Sequence, residues 1–312
     1  MNTGANPKIL VISGPTASGK TALAIKAAQR FSGEVISADS MQVYRGLDIG
    51  TAKPDAAEQQ GVAHHLIDIL DIDASLDVFS FVAMAEQAIA QIRSRGHLPV
   101  IAGGTGFYLI ALLYGLVPLP ADPEIRAELD HRFDHPRGHE ELKEIMQSCD
   151  PRDLERWHMH RRKLIRAYEV FLISGKSISE WQTLTHPELR FPVVSINLCR
   201  EREELKTRIR QRTVLMLENG WIKEAENMIA AGLLNSPTAH QAMGYKLIGM
   251  YLDGAITYDE LIERIATATW QLARRQITWF KKQHPETRHI LMPCDEEQLL
   301  DDIKQQLNDH LQ

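Results

Sequence analysis

The stretch KILVISGPTASGKTALAIKAAQRF, Lys8 to Phe31, decides how this chain folds. Lys8–Ser13 is a short apolar run of the kind found in buried parallel strands. Gly14–Thr21 fits G-x-x-x-x-G-K-[ST] at every specified position, and apolar residues then recur at helical spacing. A strand, a glycine-rich turn and a helix in that order form an anion grip. The glycines let backbone N–H groups turn toward a phosphate, and the helix N-terminus adds partial positive charge. Lys20 is placed to reach the terminal phosphates and the Thr21 hydroxyl to help hold Mg²⁺. Gly14, Pro15, Thr16, Ala17, Ser18, Gly19, Lys20 and Thr21 are therefore the expected phosphate-binding residues.

Outward from the grip, strands and helices alternate. EVISAD (Glu34–Asp39) predicts a second strand ending on an acid, and HHLIDIL (His64–Leu70) a third. A helix from Phe79 to about Arg95 stops at Gly96. LPVIAGG (Leu98–Gly104) is a fourth strand, and TGFYLIALLYG a helix opening at Thr105. This alternation implies an α/β fold with a mostly parallel sheet covered on both faces. The pattern changes near Pro118: PLPADPE reads as a linker, and only helical spacing follows from Pro123 to about Leu184. FPVVSINL (Phe191–Leu198) returns as a strand. The simplest organisation is a core of residues 1–118 and 191–312 interrupted by an all-helical insertion, 119–190, on stalks Pro118–Pro120 and His186–Pro192. After Arg200 the chain is helical to about Lys282, with RHILMP as a last strand and an acidic terminal helix.

Composition narrows the class. With 312 residues, 44% hydrophobic and 24% charged, the chain has ordinary globular material for a core. Three separated cysteines (Cys149, Cys199, Cys294) exclude a zinc ribbon and fit reduced thiols. The predicted strand starts too early for a signal peptide, and no apolar run approaches the roughly 18 residues of a membrane span. The expectation is a cytoplasmic protein. Its net charge of -6 argues against wholesale nucleic-acid affinity, but binding follows local patches. Three basic clusters stand out: Arg156/Arg161/Arg162/Lys163/Arg166, Arg200/Arg202/Lys206/Arg208/Arg210/Arg212, and Arg274/Arg275/Lys281/Lys282.

The grip does not say what carries the phosphates. A nucleoside triphosphatase adds an acid at the end of another core strand, whereas LPVIA runs into Gly103-Gly104-Thr105-Gly106. Asp39 is the one acid well placed at the carboxyl edge of the sheet, as a magnesium ligand or base. The alternative is that it caps a helix in SMQVY, as Thr105 could cap the helix after Gly104. The bare grip also suits an ATP-dependent small-molecule kinase.

GPTASGKT, ISADSMQVYRGLDIGTAKP, HHLID, AGGTGFY, QAMGYK and RRQITWFKK occur here in the order seen in the tRNA dimethylallyltransferases, or tRNA isopentenyltransferases, which the chain resembles from about residue 8 to 284. The resemblance implies a P-loop NTPase-like core with a helical insertion. It further implies Mg²⁺-dependent transfer of a dimethylallyl group from dimethylallyl diphosphate to N6 of the adenosine 3′ of a tRNA anticodon. A related enzyme acting on AMP or ADP would not need the insertion. The catalytic residues it implies are Asp39 as general base, Thr105 beside the transferred group and Arg212 on the diphosphate. It implies tRNA contacts by Asp39, Ser40, Met41, Gln42 and by Arg162, Lys163 and Arg166. Lys163 stands where many members have arginine, which keeps the charge but not the planar fork. No membrane partner is implied, and the chain is expected to act as a monomer.

Overall fold

The computed structural model describes residues 8–183, 188–283 and 287–309. In chain order the strands are β1 (Ile9–Ser13), β2 (Gly33–Ser37), β3 (His64–His65), β4 (Leu98–Gly103), β5 (Val193–Arg200) and β6 (Arg288–Met292). They form one sheet in the order β3-β2-β4-β1-β5-β6, with every pairing parallel. β1 is buried at each of its residues because β4 and β5 flank it and both faces are covered. The P-loop NTPase-like core expected from the Lys8–Phe31 stretch is therefore present.

The helices of the first half are α1 (Lys20–Phe31), α2 (Ala56–Gln59), α3 (Val78–Ser94) and α4 (Gly106–Tyr114). α1 presents Leu23, Ala24, Ala27 and Ala28 to Leu10, Ile12 and Val100 of the sheet. Truncating a fully buried residue such as Ile12 to alanine would cost about 2–5 kcal/mol through lost burial and the cavity left behind.

The third strand is shorter than its sequence suggests. His64–His65 pairs with Val35 and Ile36, but Leu66 and Asp68 have φ of 60° and 52°, which turns the chain out of the sheet. The stretch after Asp39 contains no helix: residues 40–55 form turns.

The chain divides into two compact units, Met1–Leu113 with Leu189–Gln312, and Tyr114–Glu188. The second holds α5 (Pro123–Arg132), α6 (Gly138–Cys149), α7 (Pro151–Trp157), α8 (Arg161–Ser174) and α9 (Ile178–Thr183) around Leu129, Phe133, Leu142, Met146, Leu164 and Ile165. Asp122 and Asp150 cap α5 and α7 just ahead of Pro123 and Pro151, so each start carries a capping acid and a pre-set φ. The predicted stalk His186–Pro192 lies partly outside the described residues, as does the predicted helix end at Leu184.

The first unit is completed by α10 (Arg202–Met216), α11 (Ile222–Ala230), α12 (Tyr245–Leu252), α13 (Tyr258–Gln283) and α14 (Glu296–Asn308). Because all strands run the same way, the carboxyl ends of β2, β4, β1 and β5 lie side by side. The chain leaves them toward Asp39, Thr105, the phosphate loop and Arg200. No helix among the described residues is long and apolar enough to cross a membrane.

Candidate active site at the carboxyl edge of the sheet

The loop between β1 and α1 is shaped by backbone geometry before any side chain acts. Gly14 has φ 155°, and a Cβ there would sit 2.9 Å from the Leu198 carbonyl oxygen, so only glycine fits beside β5. Gly19 precedes α1 with φ 102° and provides no side-chain cap, which leaves the first N–H groups of α1 for an anion. Within the loop, Ser18 N–H donates to Pro15 O at 3.2 Å, and Lys20 Nζ approaches the same oxygen at 3.5 Å.

Two of the cations at this loop, Lys20 and Arg212, act on each other. Burial pushes the Lys20 ammonium down to about 8, Asp39 opposes that shift, and Arg212 adds to it. Burial likewise lowers the Arg212 guanidinium, again opposed by Asp39. Arg212 donates to the Thr16 hydroxyl. Lys20 and Arg212 thus lie within electrostatic reach of one carboxylate, Asp39, leaving an excess of positive charge that an anionic ligand would offset.

Asp39 lies two residues beyond β2. Its Oδ1 accepts from Met41 N–H at 2.9 Å and Gln42 N–H at 3.4 Å, a local Asx turn rather than a helix cap. No described group donates to Oδ2, so that oxygen is available to a ligand. Thr105 does not cap α4 with its side chain. Its Oγ1 accepts from Ser40 N–H at 3.2 Å, and its own N–H donates to Ala38 O at 3.2 Å. Gly103 permits this closeness, since a Cβ there would overlap the Ala38 carbonyl. The turns after β2 and β4 are therefore stitched together, which fixes Asp39 relative to Thr105.

Ser40 and Met41 are half-buried. Gln42 is committed internally: its amide donates to Thr51 O and Ala52 O at 3.3 and 3.2 Å, and it accepts from Ser37 Oγ at 2.9 Å. The rest of this segment is pinned by Glu224, which accepts from the N–H groups of Asp48, Ile49 and Gly50 at 3.1, 2.7 and 3.0 Å, and from Tyr245 Oη at 2.6 Å.

In the helical unit, Arg162 and Lys163 are exposed on α8. Arg166 is turned inward, paired with the buried Glu169 at 2.9 Å and donating to Leu119 O at 3.2 Å. The second basic cluster divides its work. Arg202 and Lys206 each lie 5.5 Å from the Trp270 ring centroid, and Arg210 pairs with Glu263 at 2.8 Å. Arg200 and Arg208 instead donate to the phosphate loop, at Ser18 O and Ala17 O, both at 3.0 Å.

Sequence reasoning missed these two loop contacts, and it missed Gln276. The Gln276 amide accepts from Thr16 N–H at 2.9 Å and donates to Gly104 O at 3.0 Å, bridging the phosphate loop to the turn after β4. Gln276 lies inside the quoted RRQITWFKK, but nothing in that pattern reveals a partner 260 residues away.

Among the described residues no group of three or more His, Cys, Asp or Glu could hold a metal ion, and β4 ends without an acid. The candidate oxygen ligands are the Thr21 hydroxyl and the open Asp39 oxygen, with the buried Ser18 hydroxyl also in the loop. That hard, sparse set suits Mg²⁺ held mainly by ligand phosphates.

Comparisons with known proteins give the family. The family model described as IPP transferase matches residues 42–283. A tRNA dimethylallyltransferase of Citrifermentans bemidjiense is 43% identical over 280 residues, covering 89% of this chain and 90% of its own. A tRNA dimethylallyltransferase of Acetivibrio thermocellus is 42% identical, with 88% of each chain covered. The crystal structure of tRNA delta(2)-isopentenylpyrophosphate transferase from Staphylococcus epidermidis superimposes with a TM-score of 0.71 at 34% identity, covering 97% of this chain and 99% of that one. A eukaryotic dimethylallyltransferase acting on tRNA gives a TM-score of 0.81 at 28% identity, covering 97% of this chain and 78% of that one. The chain belongs to the IPP transferase family, and within it to the tRNA dimethylallyltransferases.

Proposed function

We propose that this chain transfers a dimethylallyl group from dimethylallyl diphosphate to the N6 amine of the adenosine 3′ of a tRNA anticodon, releasing diphosphate. The observation that carries this reading is the pairing of an anion grip with a carboxylate, Asp39, that keeps one oxygen open. Lys20 and Arg212 exceed Asp39 in charge, and among the described residues no group of three or more His, Cys, Asp or Glu gathers to hold a metal.

As the allylic C–O bond breaks, its electron pair passes to the diphosphate. Lys20, Arg212 and the N–H groups at the start of α1 stabilise that growing charge, and donors aimed in advance act most strongly there. Mg²⁺, held by Thr21 and the phosphates, would supply further charge neutralisation. The N6 lone pair forms the new C–N bond. That amine is weakly nucleophilic because its lone pair is delocalised into the purine. Asp39 Oδ2 orients it and accepts its proton, the general-base role. Thr105 holds the Ser40 amide and with it the turn that carries Asp39.

The target base must leave the anticodon stack to reach a site at the sheet edge, because the reacting amine is otherwise enclosed by neighbouring bases. Ser40 and Met41 line the entry beside Asp39. The exposed Arg162 and Lys163 supply charge for the RNA backbone, a salt-sensitive contact. The enzyme works as a monomer in the cytoplasm, where its tRNA substrate is. Incubation with tRNA and dimethylallyl diphosphate, then digestion and nucleoside mass spectrometry, tests this directly. An N6-dimethylallyl adenosine is expected. Phosphoryl transfer from ATP without any modified nucleoside would favour the kinase reading instead.

A further inference from the structure

We infer that Arg200 and Arg208 are positioning residues for the diphosphate grip, aiming its backbone donors rather than binding tRNA. This rests on the function proposed above. In sequence both belong to a basic run that reads as an RNA-backbone surface. In the structure each sends its Nε to a carbonyl of the phosphate loop, Arg200 to Ser18 O and Arg208 to Ala17 O, both at 3.0 Å.

A trans peptide couples its carbonyl and its N–H rigidly, pointing in opposite directions. Holding Ser18 O therefore fixes the Gly19 N–H, which has no acceptor among the described residues and is offered to an anion. Holding Ala17 O fixes the Ser18 N–H, which closes the turn onto Pro15 O at 3.2 Å. The loop needs such help. Gly14 and Gly19 sit at φ 155° and 102°, and Ala17 at φ 64°, a left-handed conformation that an alanine adopts only when its surroundings impose it.

One of the two struts is itself anchored. The Arg200 side chain is only 8% exposed and is paired through Nη1 with Glu204 on the first turn of α10. Arg208 lies four residues before Arg212, so both project from one face of α10 onto consecutive loop residues, Ala17 and Thr16. α10 thus acts as a rack against which the loop is set.

The test uses the full chain with Arg200→Met, Arg208→Met and the conservative Arg200→Lys. Inorganic diphosphate binding is measured by calorimetry, tRNA binding by filter retention, and KM for dimethylallyl diphosphate at saturating tRNA. Each methionine variant is expected to weaken diphosphate binding and raise KM about 10- to 100-fold, as for loss of a charge-assisted hydrogen bond. tRNA affinity and Tm should be unchanged, and Arg200→Lys should recover much of the loss. Weakened tRNA binding with intact diphosphate binding would overturn the inference, as would a fall in Tm alone. If Arg200→Met does not fold, Glu204→Gln, which only releases the guanidinium, must still weaken diphosphate binding. Failure of the unaltered protein to bind diphosphate would count against the proposed function itself.

Discussion

Two carboxylates bracket strand β2 and show opposite uses of the same chemistry. Glu34, near its start, is 6% exposed and saturated. Arg95 donates to both its oxygens at 2.9 and 2.7 Å, and His65 and His97 each approach at 2.7 Å. Arg95 foremost, then the two histidines, overcome burial and hold its carboxyl down to about 2. Asp39, two residues past the other end, is held only by N–H groups of its own turn, and its charge acts on two half-buried cations, Lys20 and Arg212. A saturated carboxylate fastens β2, β3 and the start of β4 together. An unsaturated one, among surplus positive charge, suits the proton-accepting role proposed for it.

Apart from Asp39 itself, the largest effect should come from the cation side. Lys20→Met removes charge stabilisation of the leaving diphosphate and should lower turnover on the order of 10²–10³-fold, measured at saturating tRNA. The same group sets a pH limit. Its ammonium is needed charged, so diphosphate affinity should decline as pH rises through about 8, read by calorimetry across that range.

Changing Glu34 should do the reverse of changing Lys20. Glu34→Gln should reduce stability by about 1–2 kcal/mol in chemical denaturation, while turnover stays at the unaltered level. Because its folded carboxyl lies below the usual 4.5, its contribution is present above that value and is lost as pH falls toward about 2. Acid unfolding of the glutamine variant should lose part of that dependence.

A third carboxyl shows the opposite sign. Asp150, buried in the helical unit beside the buried Asp153, is pushed up to about 6 by burial and by its bond to Asp153. Its contribution is complete below about 4 and is lost as pH rises through about 6. Asp150→Asn should therefore stabilise that unit near neutral pH by about 1 kcal/mol, seen as a raised midpoint of local unfolding. The smallest effect expected is from Thr105→Ala, about 10-fold in turnover, through the loss of one hydrogen bond to Ser40.

The parallel sheet, the grip and the helical insertion were legible in sequence because each rests on local patterning: apolar runs, a fixed-spacing glycine motif, and helical periodicity between prolines. Asp39 was legible as an acid near the end of a strand, though not that it would cap no helix. That depended on residues 40–55 forming no helix, and its setting depends on Thr105 reaching across from the turn after β4 to hold Ser40. The short β3 escaped because left-handed φ at Leu66 and Asp68 has no signature in HHLIDIL. Arg200, Arg208 and Gln276 escaped because their partners are 182, 191 and 260 residues distant. A basic run on a helix looks the same whether it faces RNA or a loop carbonyl. Periodicity gives the face of an element, not what the fold brings against it.

The account turns on Asp39 as the proton acceptor for the attacking amine. Asp39→Asn keeps an oxygen for the Met41 and Gln42 N–H groups but removes the basicity, so the turn should persist while the chemistry fails. Single-turnover transfer at saturating tRNA and dimethylallyl diphosphate should fall about 10²–10⁴-fold, with tRNA and diphosphate binding retained. A variant that transferred the dimethylallyl group at near the unaltered rate would contradict it.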